Sequence, residues 1–298
     1  MRSRGRDDAG DDRPVVVVSD LHLGRRGMVE TAAELSPLVE SASALVVNGD
    51  LAELLMNRWA DAARRELDQL RDRCAAAGTR LVVLAGNHDP TLTDRRHLLL
   101  ADERVLLTHG DAVHEALAPW SDAADVIRDR HREVMASLPE SRRDSIEGIF
   151  EACREAALAE CEAEGDLGPA TTPLGALAKP WKVARILSFW WSQPRLLDRL
   201  AERHFPTAQI VISGHSHRAG VKRVGRRTII NTGCFGVPGP ALAAVFDREG
   251  LVVRRVERRG RGRARGWSLD DVAIHREPGI MVDRRELPDD REPLQASA

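Results

Sequence analysis

The run Val15–Val18, followed by Ser-Asp-Leu-His, constrains the fold of this chain more than any other stretch. β-branched residues are stiff in a helix and pack well on a pleated surface, and a run with no polar alternation is one buried on both faces. The same construction recurs in "ALVVNGD", "RLVVLAGNHD", "RVLLTHGD" and, much later, "QIVISGHSH". Between the second and third of these runs, Trp59, Ala63, Leu67, Leu70 and Cys74 recur at helical spacing, and Gly78 stands where a C-terminal cap belongs. Strand alternating with helix predicts an α/β layered domain. A chain of 298 residues is long enough for one substantial core with an accessory unit.

The rhythm predicts four segments. Residues 14–111 are the first half of the core. Residues 112–206 are a helical cap insertion, in which Ile146, Ile149, Phe150, Cys153, Ala157 and Cys161 form one apolar stripe. Residues 207–258 bring the second half of the core, with the short β-like pieces "RTIINTG", "ALAAVFD" and "LVVRRVE". Residues 259–298, opening on Gly-Arg repeats, read as a polar, flexible tail. The 44 basic and 46 acidic side chains leave a formal net charge of -2, so anion binding must be local rather than a property of the whole surface. Cys74, Cys153, Cys161 and Cys234 form no CxxC pair and read as reduced small hydrophobes. The charged N-terminus lacks the apolar core of a secretory signal, which points to the cytoplasm.

Each apolar run ends in a small polar cluster: Asp20 and His22; Gly49 and Asp50; Gly86, Asn87, His88 and Asp89; His109, Gly110 and Asp111; Gly214, His215, Ser216 and His217. In an open α/β sheet the carboxyl ends of the strands converge, so these clusters are expected to meet. In an extended chain, residues two apart project to one side, which would aim Asp20 with His22 and His215 with His217 at one point from opposite walls. Carboxylate, imidazole and amide donors suit Mn, Fe, Zn or a similar divalent ion better than calcium. The donors exceed the needs of one ion, which suggests two ions sharing a carboxylate, with Asp50 as the candidate bridge. A lone "DLH" or "GD" is ordinary turn chemistry; the full set, each member at the end of a predicted strand, is not.

These clusters together resemble the calcineurin-like metallophosphoesterase family, over about Val15 to Cys234 without most of the helical insertion. The resemblance implies a two-sheet β-sandwich flanked by helices, an α/β fold with its metal centre at the strand ends. It implies one metal on Asp20, His22 and His217, another on Asn87, His109 and His215, and Asp50 between them. The cofactors would be two divalent ions, with Mn expected and Fe, Zn or Ni as alternatives. The implied reaction is in-line attack on phosphorus by a metal-bridging hydroxide. His88 would act as general acid, with Asp89 holding its ring by a hydrogen bond. Serine/threonine phosphatases of this superfamily read GDxVDRG and GNHE where this chain reads "GDLAEL" and "GNHD". "HGD", "GHSHR" and the helical insertion are similar to the UDP-diacylglucosamine pyrophosphohydrolase branch, although that branch has Arg where this chain has His88.

The expected substrate is therefore a small-molecule or lipid-linked phosphoester or pyrophosphate, and Arg218, after His217, is a candidate for its phosphate. Nucleic acid is the alternative substrate, disfavoured because no basic track is visible beside the clusters. A metal-binding scaffold without turnover is a further alternative, disfavoured because no ligand position is missing. "KPWKVARILSFWW" interleaves aromatic with basic residues; the favoured reading is that the aromatics fill a joint between cap helices, and the alternative is peripheral contact with the inner membrane face.

Overall fold

The valine run becomes strand β1 (Val15–Val18), and its surroundings explain its composition. Val15 and Val17 face the space between two sheets, where Ala44, Val46, Ile210, Ile212 and Phe246 meet them. Val16 and Val18 face outward onto helices, with Leu35, Leu38, Leu67 and Leu70. With both faces buried, each valine contributes roughly 1.5–3 kcal/mol and no position is left for a polar residue. The structure is a computed structural model that describes residues 11–164, 179–237, 239–260 and 265–288.

The strands that follow are β2 (Ala44–Asn48), β3 (Arg80–Leu84), β4 (His97–Leu100), β5 (Val105–Thr108), β6 (Ile210–Ser213), β7 (Gly220–Val224), β8 (Arg227–Asn231), β9 (Ala241–Phe246), β10 (Gly250–Arg259) and β11 (Gly266–Pro278). They form a six-stranded sheet in the order β11-β10-β9-β1-β2-β3 and a five-stranded sheet in the order β4-β5-β6-β8-β7. Within the first, β1, β2 and β3 are parallel, with Val15 opposite Ala44 and Ala44 opposite Arg80. Within the second, β5, β6 and β8 are parallel. This is the two-sheet α/β sandwich expected from the sequence.

Helices α1 (Ser36–Glu40) and α2 (Asn57–Ala77) cover the first sheet. Gly78 ends α2 in the left-handed conformation, with φ of 66°, as its position predicts. After β5 come α3 (Ala124–Ser137), α4 (Glu140–Arg143), α5 (Ile146–Glu164) and α6 (Pro180–His204). Ile146, Phe150, Cys153 and Ala157 of α5 pack with Leu197 and Ala201 of α6 onto Leu106, Val211 and Ile229 of the second sheet. The helices therefore make a third layer over that sheet. The first half of α6 reaches the strand ends.

The tail does not behave as expected. Instead of a flexible segment after residue 258, β10 runs on to Arg259 and β11 returns from Gly266 to Pro278 along it. Trp267 packs edge-on against Phe235 at 5.1 Å, and Arg258 reaches Glu34. The charged sequence misleads because β11 is an edge strand: outer residues such as Asp271, Val272 and Arg276 meet solvent while Trp267 is buried. The centre of the Gly-Arg repeat, 261–264, and the last residues, 289–298, lie outside the described residues.

Candidate metal centre

The parallel strands of both sheets end along one edge, and Asn48, the last residue of β2, ties the two sheets together there. Its side-chain amide donates to the carbonyls of Thr108 at 3.1 Å and Ile212 at 2.9 Å. Its own carbonyl accepts from Nδ1 of His109 at 3.0 Å, which leaves the His109 Nε2 as the free nitrogen.

Asp20, His22, Asp50, Asn87, His109, His215 and His217 converge at this edge. Donor atoms of Asp20, His22 and His217 lie within 4.8 Å of one another, as do those of Asp20, Asp50 and His109, and those of His22, Asp50 and His88. The means of convergence differs from the extended-chain expectation. β1 stops at Val18 and β6 at Ser213, and beyond them Asp20, His22, His215 and His217 have φ of 53°, 45°, 67° and 55°; Asp50, after β2, has 52°. Left-handed backbone costs non-glycine residues energy and persists where surrounding structure dictates it. Each such residue turns the chain sharply, so the side chains point at the centre from short kinks rather than from a common strand face. Two glycines permit the crowding: a Cβ at Gly86 would collide with the Asp50 carboxylate, and one at Gly214 with that of Asp20.

The donors fit cations. His109 Nε2 is buried with no hydrogen-bond partner, 3.2 Å from Oδ2 of Asp50. His22 Nδ1 faces the Glu53 carboxylate at 3.1 Å, so its proton belongs there, and its Nε2 lone pair meets His217 Nε2 at 3.2 Å. His215 gives its Nε2 proton to the Leu117 carbonyl at 3.0 Å, leaving its Nδ1 facing Oδ1 of Asn87 at 2.9 Å. Lone pairs directed at lone pairs in a buried site require a positive charge between them. Protons can supply it at two of these places: against the cost of burial, the Asp50 charge pushes His109 up to about 10, and the hydrogen bond to Asp20 holds His217 well above its usual range, whereas burial and the His109 charge push His215 down to about 4. A divalent ion would replace those protons with a fixed charge.

Two of the other sequence-derived residues are used differently from expectation. Asp89 does not bond His88. It is fully buried and accepts from the backbone N–H groups of Leu51 at 2.7 Å, Ala52 at 3.2 Å and Gly86 at 2.7 Å, joining the loops after β2 and β3. The ring of His88 is held instead by Glu53, whose Oε1 lies 2.6 Å from Nδ1. Arg218 is not brought to the cluster. Pro194, inside α6, has no N–H for the Trp190 carbonyl, and Arg218 donates to that carbonyl at 3.0 Å while lying over the Trp190 ring.

Residues 13–219 match the family model for calcineurin-like phosphoesterases. The chain belongs to the calcineurin-like phosphoesterase family. A UDP-2,3-diacylglucosamine hydrolase from Ralstonia nicotianae is 35% identical over 119 residues, covering 34% of this chain and 44% of that relative, so less than half of the relative's length is spanned. Among solved structures, a dimetal phosphatase from Danio rerio aligns over 87% of this chain and 98% of its own, at 14% identity and a TM-score of 0.42. Vacuolar protein sorting 29 from Cryptosporidium parvum aligns over 88% and 98%, at 10% identity and a TM-score of 0.39.

Glu53 is a residue of this candidate centre that the sequence reading missed. It is fully buried, with Oε1 on His88 and Oε2 on both His22 and, at 3.2 Å, Arg25. Burial would raise its carboxyl, but the His88 charge and the hydrogen bonds from His22 and His88 hold it well below the usual range. Burial likewise works against charge on His88, yet Glu53 and Asp50 push it up to about 9. The signal was present as "GDLAE", an acid three residues after Asp50, but without the fold nothing aims that acid at either histidine.

A cavity of about 260 Å³ opens onto the cluster. Asp50, Asn87, His88, His215 and His217 form its floor, and Arg25, Arg58 and Lys182 bring positive charge to its walls. Trp120, Ile186 and Trp190 supply apolar surface. Lys182 is buried, with its Nζ 3.6 Å from Asp122.

Proposed function

We propose that this chain is a metal-dependent hydrolase of a phosphoester or pyrophosphate bond, acting on a small or lipid-linked substrate. The observation that carries the reading is the position of Asp50. Its Oδ1 accepts from the His88 N–H at 2.9 Å, while its Oδ2 stands 3.2 Å from His109 Nε2 and 3.8 Å from His22 Nε2. These distances support a centre in which Asp50 stands between two donor sets, Asp20, His22 and His217 in one and Asn87, His109 and His215 in the other. Two divalent ions held there would supply a hydroxide at neutral pH and offset the charge that develops on the phosphoryl oxygens.

The chain's own residues do the rest. Glu53 keeps a proton on Nδ1 of His88 and favours the imidazolium, so Nε2–H is available to a leaving-group oxygen in the cavity. Arg25, Arg58 and Lys182 orient the anionic groups of the substrate, and the burial of Lys182 makes an anion beside it more favourable than water. Trp120, Ile186 and Trp190 receive an apolar or aromatic portion of the substrate, consistent with a nucleotide or lipid-linked leaving group.

The test is hydrolysis of a chromogenic phosphodiester and the matching monoester by protein stripped with a chelator, then reconstituted with Mn. Activity should vanish on stripping and return with the metal, with the diester-to-monoester ratio defining the preferred bond. Undiminished turnover by stripped protein would remove the metal from the mechanism. Bound Mn with no turnover of either reporter or of a nucleotide pyrophosphate would favour a binding scaffold.

A further inference from the structure

Helix α6 has two apolar faces, and only one of them is used by the fold and the cavity. Phe189, Gln193, Leu197 and Ala201 are buried, while Ile186 and Trp190 line the cavity. On the opposite side Trp181, Leu187 and Trp191 are 44%, 48% and 64% exposed. This corrects the favoured reading of the sequence, that the aromatics of this segment fill a joint: Phe189 does so, and Trp181 and Trp191 do not. Trp181 and Trp191, ten residues apart, are separated by about 15 Å along the axis and bracket a single stripe.

Along this part of the helix the charge has one sign, and Asp122, paired with Lys179 beside Trp181, is an acid brought near it from outside. No Asp or Glu occurs from Pro180 to Leu197, whereas Arg185 and Arg195 are exposed on the stripe's margin. The guanidinium of Arg185 lies 5.0 Å from the Trp181 ring, and the ammonium of Lys222, on β7, lies 5.5 Å from the Trp191 ring. Among the described residues no helix is long and apolar enough to cross a membrane. An amphipathic helix with exposed indoles and a cationic rim has the character of one that lies in the headgroup region, its rings at the acyl boundary and its cations on lipid phosphates.

We propose that the outward face of α6, centred on Trp181, Leu187 and Trp191, docks on an anionic lipid surface. The occupant is identified by charge: a neutral apolar partner would leave Arg185, Arg195 and Lys222 without counter-ions, and an anionic bilayer matches the indoles and the cations together. Lys182, Ile186 and Trp190 line the cavity from the other side of the same helix, so docking would place the cavity one helix diameter, ~10–12 Å, from the bilayer surface. There it could take a lipid-linked phosphoester without extracting the whole lipid into water.

The experiment is sedimentation of the full chain with vesicles of phosphatidylglycerol and phosphatidylcholine, compared with phosphatidylcholine alone. Binding is expected to the anionic vesicles and to weaken with added salt. Trp191→Glu should reduce it at least about 10-fold, and Lys222→Glu about 5-fold or more. Far-UV circular dichroism and the unfolding midpoint would establish that both variants are folded. The proposal is overturned if wild type ignores anionic vesicles, or if Trp191→Glu binds as well as wild type. It is also overturned if the stripe proves to join two copies, seen as a dimer that Trp191→Glu converts to monomer without any vesicle binding. None of these measurements uses turnover, so this proposal and the hydrolase reading can fail separately.

Discussion

Asp50→Ala should lower kcat/KM for a chromogenic phosphodiester by at least about 10³-fold at saturating Mn. In the proposed centre the carboxylate stands between the two donor sets, with Oδ2 3.2 Å from His109 Nε2 and 3.8 Å from His22 Nε2, and its other oxygen holds the backbone N–H of His88. Its removal therefore loosens the loop that carries Asn87 and His88 while depriving His109 Nε2 of its acidic neighbour. Burial would raise the Asp50 carboxyl, but His109, His88 and His22 hold it well below the usual range, so the wild-type group is charged at any working pH. Asp50→Asn tests charge separately from shape. It should retain fewer bound ions per chain than wild type, measured by elemental analysis after gel filtration. Two ions and full activity in either variant would refute the bridging role.

Glu53→Gln is expected to cost about 10²–10⁴-fold in kcat through His88, with a further loss of about 10–100-fold in metal affinity through His22. Both carboxylate oxygens accept from imidazole Nδ1 groups, and an amide offers one acceptor and one donor. One of the two rings must then change tautomer or turn away. The pH profile separates this role from a merely structural one. A general acid works only while protonated, and the Glu53 charge helps to raise His88 to about 9. Without that charge the alkaline fall in activity should move to lower pH. A lower rate with an unmoved alkaline limb would show that Glu53 only supports the fold.

The sequence disclosed the strands and the donor atoms because both are local properties. Four consecutive valines admit few structures, and Asp, His and Asn at the ends of such runs carry their chemistry with them wherever the backbone goes. Direction is not local. The kinks that aim Asp20, His22, Asp50, His215 and His217 are in the left-handed region, which their residue types do not announce, and hydrogen bonds between loops hold them: His22 N–H to the Asp50 carbonyl at 3.0 Å and His215 N–H to the Asp20 carboxylate at 3.0 Å. Partnership between acids and histidines was equally hidden. Asp89, adjacent to His88, looked like its orienting group, but loop geometry sends Asp89 to three backbone amides and brings Glu53 from the β2 loop instead. β11 was missed for a different reason: an edge strand with one solvated side shows half of its alternation as charge, which resembles the composition of a tail.

The amide of Asn48 fastens the ends of β5 and β6 to β2, and the donor sets at that edge come from both sheets. A cation bound there is a cross-link between the two halves of the sandwich, and the unfolded chain has nothing equivalent to offer it. Were the proposed ions bound, occupancy of the site would add to the stability of the fold. Scarcity of metal would act on the amount of intact protein as well as on its rate, with losses beginning where the two sheets meet.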